Sequence, residues 1–357
     1  MSVPVAGPVL VVGTGLLGTS IGLALRRAGV DVQLDDVDLA TVMAAEARGA
    51  GQLRSAGSPD PRLVVVAVPP GAAGPVMARA CEFPDSTVTD VTSVKAVPLR
   101  QAAAAGGDPR RLIGGHPLAG REVSGPEAAR HDLFDDRVWV VCPSDAADPL
   151  RVQDVLDLVV TCGAVPLRMN PEEHDRAVAL TSHAPQVMSS LLAARLLDAD
   201  PDAVTVSGQA LKDMTRIAQS DPALWQAILS ANAASVAEVL AALADDLDAV
   251  VSDLRSGAGG AATVDALTRG LAGRQRVPGK HGSAAAAYDV VTVQVADRPG
   301  QLASLFVAAG ELDVNLEDVR IDHVLGKPSG LIELSVRPEV SARLADGLRE
   351  RGFDVRA

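Results

Sequence analysis

Short apolar runs separated by segments of helical period fill the first half of the chain, and helical period alone dominates the stretch after it. Residues 8–12, 31–34, 63–68, 86–91, 111–113 and 138–142 read as strands. The third, LVVVAV, is apolar throughout, as a strand covered on both faces of a parallel sheet must be. A helix follows the first strand to about residue 28, another spans 150–162, and 164–168 is a last short strand. Strands alternating with helices predict a doubly wound, Rossmann-type α/β domain with a parallel sheet over residues 1–168.

From residue 171 to about 254 the period is helical only, in segments 171–197, 203–217 and 221–254. The last is too long for the surface of a small domain, and helices of that kind bury a face against a second subunit. Residues 169–256 are therefore assigned as an all-helical substrate and dimerisation domain of a homodimer. Residues 257–287 have the glycine and small-residue content of a connection. In 288–357 the period changes again, to a β-α-β-β-α-β order in about 70 residues, the ferredoxin-like α+β arrangement.

Composition narrows the partners. A net charge of −13 opposes nucleic acid and anionic membrane surfaces, so an anionic substrate has to be caught by a local basic site. Cys81, Cys142 and Cys162 are odd in number and widely spaced, which suits neither a disulfide framework nor a metal site and points to the reducing cytoplasm. Residues 3–25 are uncharged, yet Gly13, Gly15, Gly18 and Gly22 interrupt the run, and a dinucleotide fingerprint explains it better than a signal peptide or membrane span.

That fingerprint, Gly13-Thr14-Gly15-Leu16-Leu17-Gly18, lies between a strand and a helix, as it must. Gly13 allows the tight turn, Gly15 lets backbone approach a pyrophosphate, and Gly18 allows helix and strand to pack closely. Leu16 and Leu17 open the helix whose free N–H groups would receive the phosphates. Asp36, with Asp35 as runner-up, stands about 20 residues on, where a ribose-binding acid belongs. Asp35, Asp36 and Asp38 would repel a 2′-phosphate, which favours NAD over NADP. Val68 and Pro69 end the third strand at the edge where open α/β sheets bind ligands. His116, in the stretch GGHPLAGREVSG, follows the fifth strand and falls at the same edge.

With these motifs in place the chain resembles the prephenate dehydrogenase family of tyrosine biosynthesis, which includes arogenate and cyclohexadienyl dehydrogenases. The likeness rests on residues 90–95 (DVTSVK), the His116 stretch, residues 181–185 (TSHAP) and residues 212–218 (KDMTRIA) with Asp221 and Trp225. It implies NAD-dependent oxidative decarboxylation of prephenate, or of arogenate, with His116 as base at the ring hydroxyl, acting near the ordinary imidazole pKa. By the same likeness Ser93 hydrogen-bonds near the nicotinamide and the hydroxyl, and Arg216 binds a substrate carboxylate. Ser182, His183 and Trp225 border the pocket, and Asp175 and Asp213 join an ionic network with Arg216. Gln186 stands where many members carry a second His, and Arg121 stands where a smaller polar residue is common and could restore the missing charge. The last segment is similar to an ACT domain, in which Arg298, Pro299, Gly300 and Asn315 would border an amino-acid effector such as tyrosine. Two other readings compete: a β-hydroxyacid-type dehydrogenase relying on Lys212, and an inactive amino-acid sensor.

Overall fold

The computed structural model describes residues 5–120, 123–257, 260–277, 288–323 and 329–356. The chain forms two compact units, Met1–Leu243 and Ala244–Ala357.

The first unit opens with β1 (Val9–Val12), α1 (Leu16–Arg27), β2 (Val32–Asp35), α2 (Leu39–Ala47), β3 (Gln52–Leu53), β4 (Leu63–Val66) and α3 (Pro70–Ala80). It continues through β5 (Thr87–Asp90), α4 (Ala96–Ala104), β6 (Leu112–Pro117), β7 (Val138–Pro143), α5 (Pro149–Thr161) and β8 (Val165–Arg168). The strands lie in the order β3-β2-β1-β4-β5-β6-β7-β8. The first six positions run parallel and reproduce the Rossmann order.

Two features depart from the expected sheet. β7 is antiparallel to β6 and β8 follows β7's direction, so the sheet is mixed at one edge. Between β6 and β7 the described residues hold only one 3-10 turn, Pro126–Ala128, in place of the crossover helix that a parallel neighbour needs. β6 also runs on past the expected 111–113 to include His116 and Pro117, which pair with Val140 and Trp139. The sheet is covered on both faces. One core gathers Val9, Ile21, Leu25, Leu34, Val65, Ile113, Phe134 and Trp139, and the other Leu10, Val64, Val66, Met77, Val88 and Leu112.

The helical stretch is more segmented than its periodicity suggests. It comprises α6 (Pro171–Val178), a π turn at Ala179–His183, α7 (Ala184–Ala194), α8 (Pro201–Thr205), α9 (Gln209–Thr215), α10 (Pro222–Ala231) and α11 (Ala233–Ser256). Asn170, Asp200 and Asp221 each cap a helix that begins with Pro. A side-chain acceptor followed by a residue that has no N–H to satisfy is a strong start signal, and these caps fall at or near the starts of the three expected segments, whose internal breaks lie instead at the π turn, before α9 and at Asn232. α12 (Ala261–Arg274) occupies part of the expected 257–287 connection, its Val264, Leu267 and Leu271 falling at helical spacing. It is tied to α11 by Arg269 to Asp246 at 2.8 Å and by Thr263 N to Asp253 at 3.0 Å.

The rest of the second unit is β9 (Asp289–Ala296), α13 (Gln301–Glu311), β10 (Asp318–His323), β11 (Ser329–Val336), α14 (Pro338–Glu350) and β12 (Asp354–Arg356). Its sheet, β10-β11-β9-β12, is antiparallel at every junction, so β11 splits the β9-α13-β10 crossover as a ferredoxin-like fold requires. Val293, Leu305, Ile332, Leu334, Leu344 and Leu348 form its core. Among the described residues no single helix is long and apolar enough to cross a membrane.

Candidate active site

The glycine-rich turn follows β1 directly. Gly13 has φ +97°, and a Cβ there would meet the Ala67 carbonyl oxygen at 2.4 Å. A Cβ on Gly18 would lie 1.8 Å from the Gly13 carbonyl oxygen, so helix and turn pack too closely for any side chain. At Gly15 a Cβ would point into open space. The opening at Gly15 lies at the N-terminus of α1, whose first residues, Leu16 and Leu17, have no side-chain cap. Asp36 braces this turn, accepting from Thr14 N at 2.6 Å and Thr14 Oγ1 at 3.1 Å. Asp38, by contrast, caps α2 through the Ala40 N–H.

Gly13, Asp35, Asp36, Val37, Val68 and Phe83 line a cavity of about 440 Å³. The acids that surround Asp36 in sequence are not its only charged neighbours, because Arg54 and Arg79 border the same cavity. Arg54 stacks on Phe83 at 4.8 Å and hydrogen-bonds the Pro59 carbonyl at 2.9 Å. Pro69 is the N-cap of α3 beside Val68.

His116 sits at the carboxyl end of β6. The two glycines before it are required by crowding: a Cβ on Gly115 would meet the Asp90 carbonyl oxygen at 2.6 Å, and one on Gly114 the Lys95 side chain at 3.0 Å. Both backbone polar groups of Gly115 are clasped by a fully buried ion pair. Asp90 Oδ1 accepts from Gly115 N at 3.2 Å, Lys95 Nζ donates to Gly115 O, and Lys95 is paired with Asp90. Thr92 completes the clasp with bonds to Asp90 and to the Val94 carbonyl. A buried lysine of this kind needs its partners, because either charge left alone would be costly.

The imidazole has a neighbour that sequence reasoning missed. His116 Nδ1 lies 2.8 Å from His174 Nε2, and His174 Nδ1 lies 2.9 Å from Asp175 Oδ1. His174 is buried at 1% exposure although it stands in the polar stretch PEEHDR at the start of α6. Its only sequence signal was its place beside Asp175. Burial pulls the His116 pKa well below the ordinary imidazole value, with further lowering from Lys95, His174 and His183, which corrects the expectation of an unshifted base. Burial works to raise the Asp175 carboxyl and is outweighed by hydrogen bonds from His174 and from the backbone N–H groups of Lys95 and Ala96, so it sits below the usual carboxylate value.

His183 belongs to the same neighbourhood. Its Nδ1 lies 3.2 Å from Asn232 Nδ2, which also donates to the Asp175 carbonyl at 2.7 Å, and its ring meets Trp225 edge-on at 6.0 Å. Burial lowers its pKa to about 4, against a raising influence from Asp175. Ser93 is half-buried on the loop between Thr92 and Val94, and it does not cap α4, whose N-cap is Lys95.

Other expected residues stand apart. Arg216 is exposed and forms no ion pair among the described residues. Asp175 is bound to α4 and Asp213 to Gln209, so the expected network of these acids with Arg216 is not formed within the described chain. Ser182 is exposed in the π turn, Lys212 is exposed on α9, and Gln186 is buried on α7 with Ser190 at 3.5 Å. Arg121 lies outside the described residues. In the second unit Arg298, Pro299 and Gly300 form an exposed loop, with Gly300 at φ +88° capping α13, while Asn315 is exposed and bonded to Glu317 at 2.9 Å.

Residues 21–167 match the family described as prephenate dehydrogenase, nucleotide-binding domain, and residues 170–270 match prephenate dehydrogenase, dimerization domain. A probable prephenate dehydrogenase of Streptomyces niveus is 38% identical over 355 residues, 96% of this chain and 97% of that one. A prephenate dehydrogenase of Bacillus subtilis is 24% identical over 355 residues, 95% and 94% of the two chains. Among solved structures, prephenate dehydrogenase from A. aeolicus in complex with hydroxyphenyl propionate and NAD+ aligns with a TM-score of 0.67 at 27% identity, covering 75% of this chain and 97% of that one.

Proposed function

The chain belongs to the prephenate dehydrogenase family, and from that premise we propose that it converts prephenate to 4-hydroxyphenylpyruvate by NAD-dependent oxidative decarboxylation. The observation that carries the proposal is His116, half-buried at the carboxyl end of a Rossmann strand, with Nδ1 engaged and Nε2 without a hydrogen-bond partner among the described residues. The turn fits the cofactor: Gly15 faces open space above an uncapped helix N-terminus, and Asp36 stands at the end of β2 for the ribose hydroxyls. Bound NAD+ supplies the hydride acceptor.

The chain's own residues do the rest. His116 takes the hydroxyl proton at Nε2, which lets electron density rise on oxygen as the ring is oxidised. Its lowered pKa favours the unprotonated imidazole, the form that can act as a base. Ser93 is assigned to hydrogen-bond near the nicotinamide and the substrate hydroxyl, while Arg216 and Arg121 are assigned to the substrate carboxylates, where a planar guanidinium can bind both oxygens. Ser182, His183, Gln186 and Trp225 are assigned to the walls of the substrate pocket. We assign the protein as a cytoplasmic homodimer, on the grounds of its unpaired cysteines and its match to a dimerization domain. The ferredoxin-like segment is assigned as an ACT-like module with Arg298, Pro299, Gly300 and Asn315 at its effector loop.

The test is NADH formation from NAD+ with prephenate and with arogenate in parallel, repeated with NADP+. Turnover of prephenate with NAD+ is expected. Turnover of arogenate alone would move the assignment to an arogenate dehydrogenase, and turnover of neither would overturn it. Deletion of the segment after Ala287 is expected to remove any response to tyrosine, and an unchanged response would sink the sensor assignment.

A further inference from the structure

Three side chains stand in line behind the reacting nitrogen, and their partners determine where the protons sit. The Asp175 carboxylate accepts from Lys95 N at 2.8 Å and Ala96 N at 2.9 Å, at the N-terminus of the nine-residue helix α4, where the free N–H groups favour an anion. Its side chain is 6% exposed. An ionised carboxylate only accepts, so the His174 Nδ1 that lies 2.9 Å away must carry a hydrogen. In neutral His174 the other ring nitrogen, Nε2, is then a lone pair. Two nitrogens 2.8 Å apart cannot both present lone pairs, so His116 Nδ1 carries the hydrogen and its Nε2 is left unprotonated.

We propose that His174, oriented by Asp175, is a positioning residue that holds His116 in the Nδ1–H tautomer and thereby makes Nε2 the base. This rests on the reading of His116 as the base. When His116 takes a proton at Nε2, its Nδ1–H still points at the His174 lone pair, so the new positive charge is met by an acceptor already aimed at it. The Asp175 carboxylate balances that charge one ring further away. A carboxylate directly on His116 would also orient the ring, but it would hold the proton more tightly after transfer. The intervening neutral imidazole gives orientation without that adjacent anion. Among the described residues the other titratable or charged groups facing this pair are Lys95, Asp90 at the end of β5 and His183 of the π turn, and Lys95 is already matched by Asp90.

The first measurement needs no substrate. In protein labelled with ¹⁵N-histidine, long-range ¹H–¹⁵N spectra are expected to show His116 with a protonated Nδ1 and an unprotonated Nε2, and to show mixed tautomers in His174→Leu. An Nε2–H tautomer in the wild type would overturn the proposal. His174→Leu is expected to lower kcat about 10- to 100-fold with little change in KM, the effect typical of losing a group that orients a histidine through its second nitrogen. His174→Gln keeps an acceptor for Nδ1–H and should recover most of the loss, which also guards against a Leu variant that folds poorly. In a His116→Asn background His174→Leu should cost nothing further, because both act through one nitrogen. Full additivity there would overturn the proposal. If the tautomer shifts as expected while kcat does not fall, His116 is not the base, and the functional reading fails instead.

Discussion

The sheet half of the first unit completes its own core, and the helical half does not. Every residue of β1 and β4 is buried, and Trp139, Phe134, Ile21 and Met77 are enclosed. Across residues 171–243 the buried apolar side chains are only Pro171, Val178, Ala179, Ala184, Ile228 and Val236, while Leu180, Leu191, Leu197, Val206, Met214 and Leu224 are exposed. A large apolar surface of that kind marks a place where another surface belongs. The difference separates two tasks. The nitrogen proposed as the base is mounted on the finished part, and Arg216, one of the two residues assigned to the substrate carboxylates, is on the part whose apolar side chains stay exposed.

Four experiments press on that division, in order of expected effect. His116→Asn should lower kcat by about 10²- to 10⁴-fold, the usual contribution of a general base, with NAD+ binding retained. Steady-state kinetics with a cofactor titration checks this, and wild-type turnover would remove His116 from the chemistry. Lys95→Met should destabilise the fold by about 3–5 kcal/mol, because it leaves the Asp90 carboxylate buried and unmatched. Chemical denaturation reads that out, and a loss below about 1 kcal/mol would mean that the clasp on Gly115 is not structural.

Leu191→Glu, on the unfinished side, should weaken self-association by about 2 kcal/mol, close to thirtyfold. Leu150→Glu, even more exposed but on the sheet half, should leave it unchanged. Sedimentation equilibrium on both variants sharpens the comparison, and equal behaviour would erase it. The smallest effect is in pH. His183 titrates near 4 in the folded protein and near 6.5 when unfolded, so below about 6.5 the unfolded chain takes up a proton that the folded one refuses. Melting temperature should therefore fall as pH drops from 6.5 towards 4, with His116 adding in the same direction. His183→Asn should flatten the curve, and an unchanged slope would contradict the assignment.

The sheet half was also the more legible half. Apolar runs, the glycine spacing and the acid at Asp36 are local signals, and His116 stands among glycines that only crowding explains. Strand direction is not local. Nothing in residues 138–142 distinguishes an antiparallel β7 from a parallel one, and the absence of a helix before it was the clue available. Helix starts near Pro201 and Pro222 were readable from the Asp that precedes each, but the breaks at the π turn Ala179–His183 and at Asn232 were not, because helical periodicity runs across them. His174 was hidden because it lies in a stretch whose charges suggest a solvated face, while its ring packs against His116 of β6, which is far away in sequence.

The Asp175 carboxylate has a mechanical consequence as well. It grips the first turn of α4 from α6, and Lys95, at that same turn, grips the backbone just ahead of His116. α6, the start of α4 and the end of β6 are thus bolted into one block. An opening motion that admits substrate cannot pull α6 away from His116 without breaking those bonds. Movement of the helices beyond α6 would leave that block, and with it the line from His116 through His174 to Asp175, intact.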